Sequence, residues 1–490
     1  MLIQRSRHKY RTKHGRALKA AAVVAGLAVG GAGVGVAMAS TSTDSPAAAV
    51  PVKGTPGADG VKDSFFPKAG NGGYDALHYA LDLAVEPKGK TVLSGTSTMT
   101  AKATQDLSRF NLDLSRLTVK KVMVDGTEAT FRHKGTELEI TPVNCIAKGE
   151  RFKVAITYGG RPGVLPDSTE ESPDGWVTTD DGAMVMGEPL GAMTWYPVNN
   201  TLHDPATYEV AVTVPSGLTA VSNGRYLGKK SAGAGKDTFR WNNDNQIVPY
   251  QTALAVGKFT LQTGKTESGV PIVNAVDPRQ RTASRDILRR IPEVVEWGEK
   301  LFGAYPVDTA GAIVDHAPKV GLALETIGRP TYAKAPVSTV MAHEYAHQWF
   351  GDSVWLSDWS QIWLNEGLAT YAMWMWDEEE GRATTQQWFD GLYRLPADNE
   401  LWAFPPAKPG KPKDLFAPPV YYRGAMALHK VRQAVGDKAF LKILKTWTAE
   451  HKHRHATIEE FIALTEKISG KETRKIFNVW LHSKGKPAHP

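Results

Sequence analysis

The stretch HEYAH restricts the possible fold more than any other part of the sequence. Its two histidines, His343 and His347, are four residues apart, and side chains at that spacing share one face of an α-helix. The surrounding residues favour a helix, whose start Ser338 or Thr339 can cap. We therefore predict a helix that presents two imidazoles to one metal ion, with Glu344 placed to reach a water on that ion.

A third metal ligand follows in the segment WLNEGLA. Eighteen residues separate His347 from Glu366, and this segment has the pattern of a second helix that can fold back against the first. Two histidines and one glutamate form a known catalytic zinc set, which leaves one coordination position open. Cys145 is the only cysteine, which excludes an intramolecular disulfide and a Cys-rich zinc site. The sequence thus predicts one Zn²⁺ per chain, bound by His343, His347 and Glu366.

The positive charge of the chain is concentrated at its start. Residues 1–19 hold seven basic residues and no acidic one, whereas the remaining 51 basic residues balance 51 acidic ones. The formal net charge of +7 therefore belongs to this segment, and no basic surface remains elsewhere to attract phosphates. We expect no nucleic-acid partner.

Residues 1–39 have the pattern of an export signal. The uncharged residues 20–39 follow the basic segment and end in Ala37-Met38-Ala39, a small-residue cleavage pattern. Their many alanines and glycines make them weakly hydrophobic, which favours cleavage over retention. We predict a signal peptide at 1–39 and a secreted protein. An uncleaved anchor that leaves the protein facing outside the cell is the alternative, and only that would bring it to a membrane.

The pattern of apolar residues divides the rest of the chain into three segments. Residues 40–72 are rich in Ser, Thr, Pro, Ala and Gly, which predicts a flexible linker. Over residues 73–262 apolar side chains alternate, as in HYALDLAV, which predicts an all-β domain in the form of a saddle or sandwich. Residues 263–490 have mainly helical spacing, as in RTASRDILRRIPEVVEWGEKLFG. We therefore predict an α+β multidomain protein whose second, mainly helical domain carries HEYAH.

The two motifs HEYAHQWFGDSV and WLNEGLA together resemble the aminopeptidase N type of zinc metallopeptidases, within the gluzincins. The segments YDALHYALDLAV, NLDLSRLTVKKVMVDG and TYEVAVTVPSGLTAVSNG are similar to that family's N-terminal β domain, and IFNVWLHSKGKPAHP to the close of its short members. The resemblance covers nearly the whole chain after the signal. It implies a thermolysin-like zinc peptidase domain at 263–490, without the C-terminal helical domain of longer members, and peptide substrates with a free N-terminus.

The resemblance also assigns two acidic residues to the free amine of the substrate. GLALET matches the glycine-led segment whose glutamate binds that amine, which implies this role for Glu325, with Thr326 where Asn is commoner. GEPLGAMTWYP matches the segment that contributes a second amine anchor, which implies Glu188, with Met186 where Gln is often found. A buried ammonium group needs compensating charge, and two carboxylates would supply it.

Two catalytic roles follow from the same resemblance. Glu344 is implied as the general base, which takes a proton from the attacking water and passes it to the leaving amine. VYYRGAMALHKV matches the family's segment in which a tyrosine lies three residues before a glycine and stabilises the developing oxyanion. Gly424 therefore selects Tyr421 rather than Tyr422 as that donor.

Three other functions are compatible with the same motifs. An endopeptidase is disfavoured by Glu188 and Glu325, and a lipid-epoxide hydrolase needs a long apolar tunnel that a sequence does not reveal. A catalytically silent binding protein is disfavoured because Glu344 is retained beside all three ligands. The sequence leaves open the preferred N-terminal residue, the peptide length and the oligomeric state. It also leaves open whether Asp352 or Asp358 orients a metal-binding histidine.

Overall fold

A computed structural model describes residues 53–89, 92–169 and 172–488. The predicted signal peptide at 1–39, together with its alternative as an anchor, lies outside these residues. Within the described part of the chain, no helix is both long enough and apolar enough to cross a membrane. The described residues form one compact unit, and the division of this unit at residue 262 remains a prediction.

The N-terminal half consists of strands, and we call it the β region. In β2 the predicted alternation is confirmed, because Tyr79, Leu81, Leu83 and Val85 are all buried. The strands of the β region are β1 (Thr55–Pro56), β2 (Tyr74–Val85), β3 (Leu93–Ala103), β4 (Leu107–Asp113), β5 (Thr118–Val124), β6 (Thr127–Glu128), β7 (Thr130–Lys134), β8 (Glu137–Thr141), β9 (Arg151–Gly160), β10 (Gly175–Thr178), β11 (Ala183–Met186), β12 (Ala206–Pro215), β13 (Thr219–Ser222), β14 (Arg225–Gly233), β15 (Lys236–Ile247) and β16 (Leu254–Gly257).

These strands form three sheets. The largest has eight strands in the order β14-β15-β12-β2-β3-β9-β5-β6, and its neighbours are antiparallel except for the parallel pair β12 and β2. A four-stranded sheet has the order β1-β4-β8-β7, and a second has the order β10-β11-β16-β13. The second one carries the predicted amine anchor Glu188 in the loop after β11.

A five-stranded sheet opens the C-terminal region, where the sequence analysis predicts mainly helices. Its strands are β17 (Thr260–Lys265), β18 (Pro271–Val276), β19 (Ala310–Val314), β20 (Ala323–Leu324) and β21 (Thr331–Tyr332), in the order β17-β18-β19-β21-β20. Every residue of β19 is buried, and it pairs in parallel with both neighbours. A short, fully apolar run such as β19 lacks the alternation that identifies a strand, so the sequence analysis missed it.

Helices make up most of the remaining C-terminal region. They are α1 (Arg281–Leu288), α2 (Ile291–Phe302), α3 (Ser338–Ala346), α4 (Trp363–Glu379), α5 (Thr385–Tyr393), α6 (Gly424–Val435), α7 (Asp437–Glu450), α8 (Ile458–Ser469) and α9 (Arg474–Phe477). Two short parallel strands, β22 (Val354–Leu356) and β23 (Arg454–Ala456), join the chain after α3 to the chain before α8. The predicted α+β class, with a β region before a mainly helical one, is confirmed.

The second half of the predicted linker, residues 53–72, packs onto the folded protein. β1 pairs with β4. Asp63 accepts a hydrogen bond from the backbone N–H of Trp359 at 2.9 Å, and the N–H of Ser64 donates to Asp358 at 2.9 Å. Trp359 and Asp358 lie about 300 residues farther along the chain. The composition of the segment, which suggested a flexible linker, carries no information about such distant partners.

Candidate active site

Helix α3 presents the two predicted metal-binding histidines on one face. His343 lies in its last turn, and His347 follows its C-terminal end with helical backbone angles. The two Nε2 atoms are 3.2 Å apart. This is the arrangement that the four-residue spacing predicts.

The start of helix α3 differs from the prediction. The residue that precedes the helix is Val337, which has no side chain that could cap it, so the expected capping by Ser338 or Thr339 is wrong. The Ser338 hydroxyl instead accepts from Trp376 Nε1 at 2.7 Å and donates to Glu380 at 2.8 Å. These bonds tie the start of α3 to the end of α4.

Helix α4 places Glu366 against the two histidines. Its Oε2 lies 3.2 Å from Nε2 of His343 and 3.4 Å from Nε2 of His347. Donor atoms that each lie about 2.0–2.1 Å from one tetrahedral zinc ion are about 3.3 Å apart, so the three side chains fit that ion. Two nitrogens and one carboxylate oxygen are also the donor types that zinc prefers.

Two glycines allow helix α6 to approach helix α4. Gly367 follows Glu366 on α4, and Gly424 begins α6. A Cβ added to Gly424 would lie only 3.2 Å from the Cα of Gly367, so the two backbones are in direct contact. This contact brings Tyr421, which lies in the π-helical turn Pro419–Arg423, to the metal-binding residues.

A backbone carbonyl orients His347. Its Nδ1 donates to the oxygen of Phe350 at 3.1 Å, and its Nε2 faces the other two candidate ligands. Neither of the two aspartates considered from sequence has this role. Asp352 accepts from Gln348 at 2.7 Å, and Asp358 caps the short 3₁₀-helix that follows it.

Glu344 is buried beside the candidate metal-binding residues. Only 6% of its surface is exposed. Oxygen atoms of Glu344 and Glu325 and a nitrogen of His347 all lie within 4.8 Å of one another. Burial raises the pKa of Glu344, and the negative charges of Glu325 and Glu366 raise it further. A carboxylate with these surroundings is well suited to accept a proton.

The two predicted amine anchors each carry an oxygen atom that is buried and has no hydrogen-bond partner. These atoms are Oε1 of Glu325 and Oε1 of Glu188. Burial raises the pKa of both carboxyls, and the charge of Glu325 raises that of Glu188 further. Unpaired buried carboxylates are costly, so a cationic group between them would be strongly favoured.

Tyr421 stacks on a metal-binding histidine. Its ring centre lies 6.0 Å from that of His343, with the planes inclined by 25°. Burial raises the pKa of Tyr421 and the charge of Glu366 raises it further, so the hydroxyl stays protonated and can donate. The adjacent Tyr422 is exposed.

All seven predicted site residues line one cleft of about 600 Å³, which we call the main cleft. Its other walls include apolar residues such as Val340, Met373 and Phe416, together with residues 321–324. Ligand pockets of this size usually have such mostly apolar walls and a few convergent polar groups.

Gln348 is a site residue that the sequence analysis missed. It is fully buried, and its Nε2 donates both to the backbone oxygen of Glu325 at 3.1 Å and to Asp352 at 2.7 Å. Its Oε1 accepts from the N–H of Gly328 at 2.6 Å. Gln348 thus connects the metal-binding helix to the segment that carries Glu325. Its position directly after His347 is the sequence feature that could have identified it as a site residue.

Comparison with known proteins finds a family model that matches part of this chain. Residues 319–480 match the model of the peptidase family M1 domain. Aminopeptidase M1 of Arabidopsis thaliana is 25% identical over 333 residues, which cover 62% of this chain and 37% of that protein. Aminopeptidase N of Haemonchus contortus is 26% identical over 369 residues, which cover 68% of this chain and 37% of that protein. The chain spans little more than a third of the length of these relatives.

The similarity to a solved structure extends over nearly the whole described chain. The M1 zinc metallopeptidase from Deinococcus radiodurans has a TM-score of 0.76 and 29% sequence identity, and the match covers 88% of this chain and 99% of that chain. A mutant of that protein bound to a Tyr-Ser-Ala substrate gives the same values.

Proposed function

We propose, from the similarity of the chain to peptidase family M1, that it is a zinc aminopeptidase that hydrolyses N-terminal residues from peptides. One observation, independent of the family, supports an aminopeptidase in particular. Glu188 and Glu325, from the β region and the C-terminal region, each bring an unpaired buried oxygen to the cleft that holds the metal-binding residues. An N-terminal ammonium group is the part of a peptide that this pair would bind.

His343, His347 and Glu366 would hold one zinc ion per chain. A zinc ion there would supply Lewis acidity, which polarises a carbonyl and lowers the pKa of water. The Phe350 carbonyl, by accepting from Nδ1 of His347, keeps that imidazole in the required tautomer.

The other side chains of the main cleft bind the substrate and move a proton. Glu188 and Glu325 hold the ammonium group and fix its distance from the scissile carbonyl. Glu344 accepts a proton from the attacking water and passes it to the nitrogen of the leaving group. Tyr421 donates a hydrogen bond to the carbonyl oxygen as negative charge develops on it.

The rival functions use fewer of these features. An endopeptidase does not need two acids for a free amine, and a silent binding protein does not need Glu344 beside the ligands. We propose export on the pattern of residues 1–39 alone. N-terminal sequencing of protein from the culture medium would then begin at Ser40, whereas an intact N-terminus in a membrane fraction would indicate an anchor.

Hydrolysis of a panel of aminoacyl reporter amides, each with a free and with an acetylated amine, tests the proposed activity. We expect hydrolysis of free-amine reporters and little of acetylated ones. Equal hydrolysis of both forms would contradict the role of the two acids. Cleavage only within longer blocked peptides would indicate an endopeptidase.

A further inference from the structure

Three aspartates cluster where the β region meets the C-terminal region, outside the main cleft. They are Asp181, Asp277 and Asp315, and one carboxylate oxygen of each lies within 4.8 Å of one oxygen of each of the others. Asp277 and Asp315 are buried, and the side chain of Asp181 is 17% exposed. None of the three lines the main cleft. The cluster is therefore separate from the proposed catalytic site.

Two of the aspartates follow the ends of neighbouring parallel strands. Val276, the last residue of β18, is in register with Val314, the last residue of β19. Asp277 and Asp315 directly follow these two valines. The N–H of Asp277 donates to the oxygen of Val314 at 2.9 Å, which keeps the strand ends side by side. The carboxyl edge of the five-stranded sheet thus places two buried carboxylates next to each other.

The third aspartate comes from the β region. Asp181 lies in the turn between β10 and β11. Its Oδ2 accepts from the N–H of Lys258 at 3.1 Å, which ties this turn to the chain between β16 and β17. A group bound by all three aspartates would therefore connect the hairpin of the β region to the sheet of the C-terminal region.

Arg279 neutralises part of the negative charge. Its guanidinium donates to Asp277 at 2.6 Å and to the exposed Asp180 at 2.8 Å, and it lies 3.5 Å from Asp181. The guanidinium offsets one of the four negative charges that Asp180 and the three clustered aspartates carry. Because buried charges are costly without compensation, a further cation would be favoured there.

One oxygen of Asp315 has no hydrogen-bond partner among the described residues. Asp315 is fully buried, and its Oδ1 accepts from the N–H of His316 at 2.7 Å, whereas its Oδ2 accepts from no group. Burial raises the pKa of this carboxyl, and the charges of Asp181 and Asp277 raise it further. A buried carboxylate oxygen that has no donor and lies beside two other carboxylates is suited to bind a cation.

We propose that Asp181, Asp277 and Asp315 bind one divalent cation, for which Ca²⁺ is the best fit, and we call them the aspartate site. Ca²⁺ takes carboxylate oxygens at about 2.3–2.6 Å, so two oxygens on one such ion lie at most about 5 Å apart. Its coordination is flexible and waters can complete it, whereas Mg²⁺ demands a nearly ideal octahedron. The aspartate site offers only oxygen ligands, unlike the proposed zinc site with its two imidazoles.

Calcium titration of the purified wild-type protein tests the proposal. Isothermal titration calorimetry at about pH 8 should find about one Ca²⁺ per chain. The melting temperature should rise by about 3 °C when free Ca²⁺ is about a hundredfold above its Kd. MgCl₂ should raise it less, and NaCl at the same ionic strength should leave it unchanged. Equal shifts in all three salts would show only the screening of charge and would overturn the proposal.

Three variants locate the ion. Asp315→Asn and Asp181→Asn each remove a charged ligand and should abolish the calcium-dependent rise in melting temperature. Asp181 is partly exposed, so its variant keeps the test decisive if Asp315→Asn fails to fold. Asp180→Asn is the matched control, because it removes the same charge from the same turn but is not one of the three ligands. It should keep the rise.

Two results would contradict the assignment to the aspartate site. One is a wild-type protein that binds no Ca²⁺ in the calorimeter. The other is a calcium-dependent rise that Asp181→Asn leaves intact, which would place the ion elsewhere. Neither readout requires hydrolysis of a substrate, so the test is independent of the proposed aminopeptidase function.

Discussion

The acidic side chains of the main cleft carry more negative charge than their surroundings stabilise. Burial raises the pKa of Glu188, Glu325 and Glu344, and the negative charge of Glu366 raises each of these pKa values further. Carboxylates in such surroundings gain stability when cations are bound near them. A zinc ion and a substrate ammonium group together would supply that positive charge. An amine-bearing substrate, as proposed above, would match this charge.

The role of Tyr421 is tested by a pair of adjacent substitutions. Tyr421→Phe removes the hydroxyl that we expect to stabilise the oxyanion, so kcat should fall by about a hundredfold or more while zinc content stays the same. Tyr422→Phe changes an exposed neighbour and should have little effect. Steady-state kinetics with one free-amine reporter makes the comparison. Near-normal turnover by Tyr421→Phe, or a larger loss in Tyr422→Phe, would show that the donor is wrongly assigned.

Individual residues were predictable from sequence where a motif has a fixed spacing. His343, His347 and Glu366 follow from helical geometry and from the chemistry of zinc, and the structure brings their donor atoms together. The partners that position the side chains of the main cleft were not predictable. The carbonyl of Phe350 and the side chain of Gln348 act through hydrogen bonds that depend on the path of the chain, and any residue type could supply a carbonyl.

At the scale of helices, a zinc ion bound by the proposed ligands His343, His347 and Glu366 would join α3 to α4. A bound ion would stabilise the folded state, by about 4 kcal/mol at a free zinc concentration a thousandfold above its Kd. We expect metal analysis to find about one zinc per chain. A chelator should lower the melting temperature and abolish hydrolysis, and added zinc should restore both.

The variant Glu344→Gln provides the control for the zinc prediction, because it alters the proton acceptor and keeps all three ligands. It should bind zinc and melt like the wild type but lose hydrolysis. Purified wild-type protein that contains no zinc and keeps its activity in the chelator would contradict the account.

The contact between Gly367 and Gly424 makes a prediction about α4 and α6. Gly424→Ala would place a Cβ 3.2 Å from the Cα of Gly367. The helices would have to separate, which costs about 1–3 kcal/mol and displaces Tyr421. We expect a lower melting temperature and a lower kcat.

A glycine elsewhere in a helix serves as the matched control for this substitution. Gly391 lies in α5, where an added Cβ would meet nothing within 4 Å. Gly391→Ala should gain up to about 1 kcal/mol from helix propensity and leave kcat unchanged. If both substitutions raise the melting temperature equally, the close approach of α4 and α6 does not constrain the site.

At the scale of the whole molecule, hydrogen bonds close to Glu325 hold the β region against the C-terminal region. The fully buried Arg329 donates to the backbone oxygens of Gly224 in the β region at 3.1 Å and of Val273 in β18 at 2.9 Å. Asn223 donates to the oxygen of Ile327 at 3.0 Å. These bonds hold the segment that follows Glu325 against the β region, which supplies Glu188. Sequence reasoning predicted both regions but not this junction, because backbone acceptors have no sequence signature.

The most direct measurement is the selectivity for a free amine in wild type and in Glu325→Gln. The quantity is the ratio of kcat/KM for one peptide with a free and with an acetylated N-terminus. We predict that the wild type strongly favours the free amine and that Glu325→Gln, which keeps the shape but loses the charge, lowers the ratio by about tenfold to a hundredfold. A wild-type ratio near one, or a ratio that Glu325→Gln leaves unchanged, would contradict the account of the site as an amine-binding one.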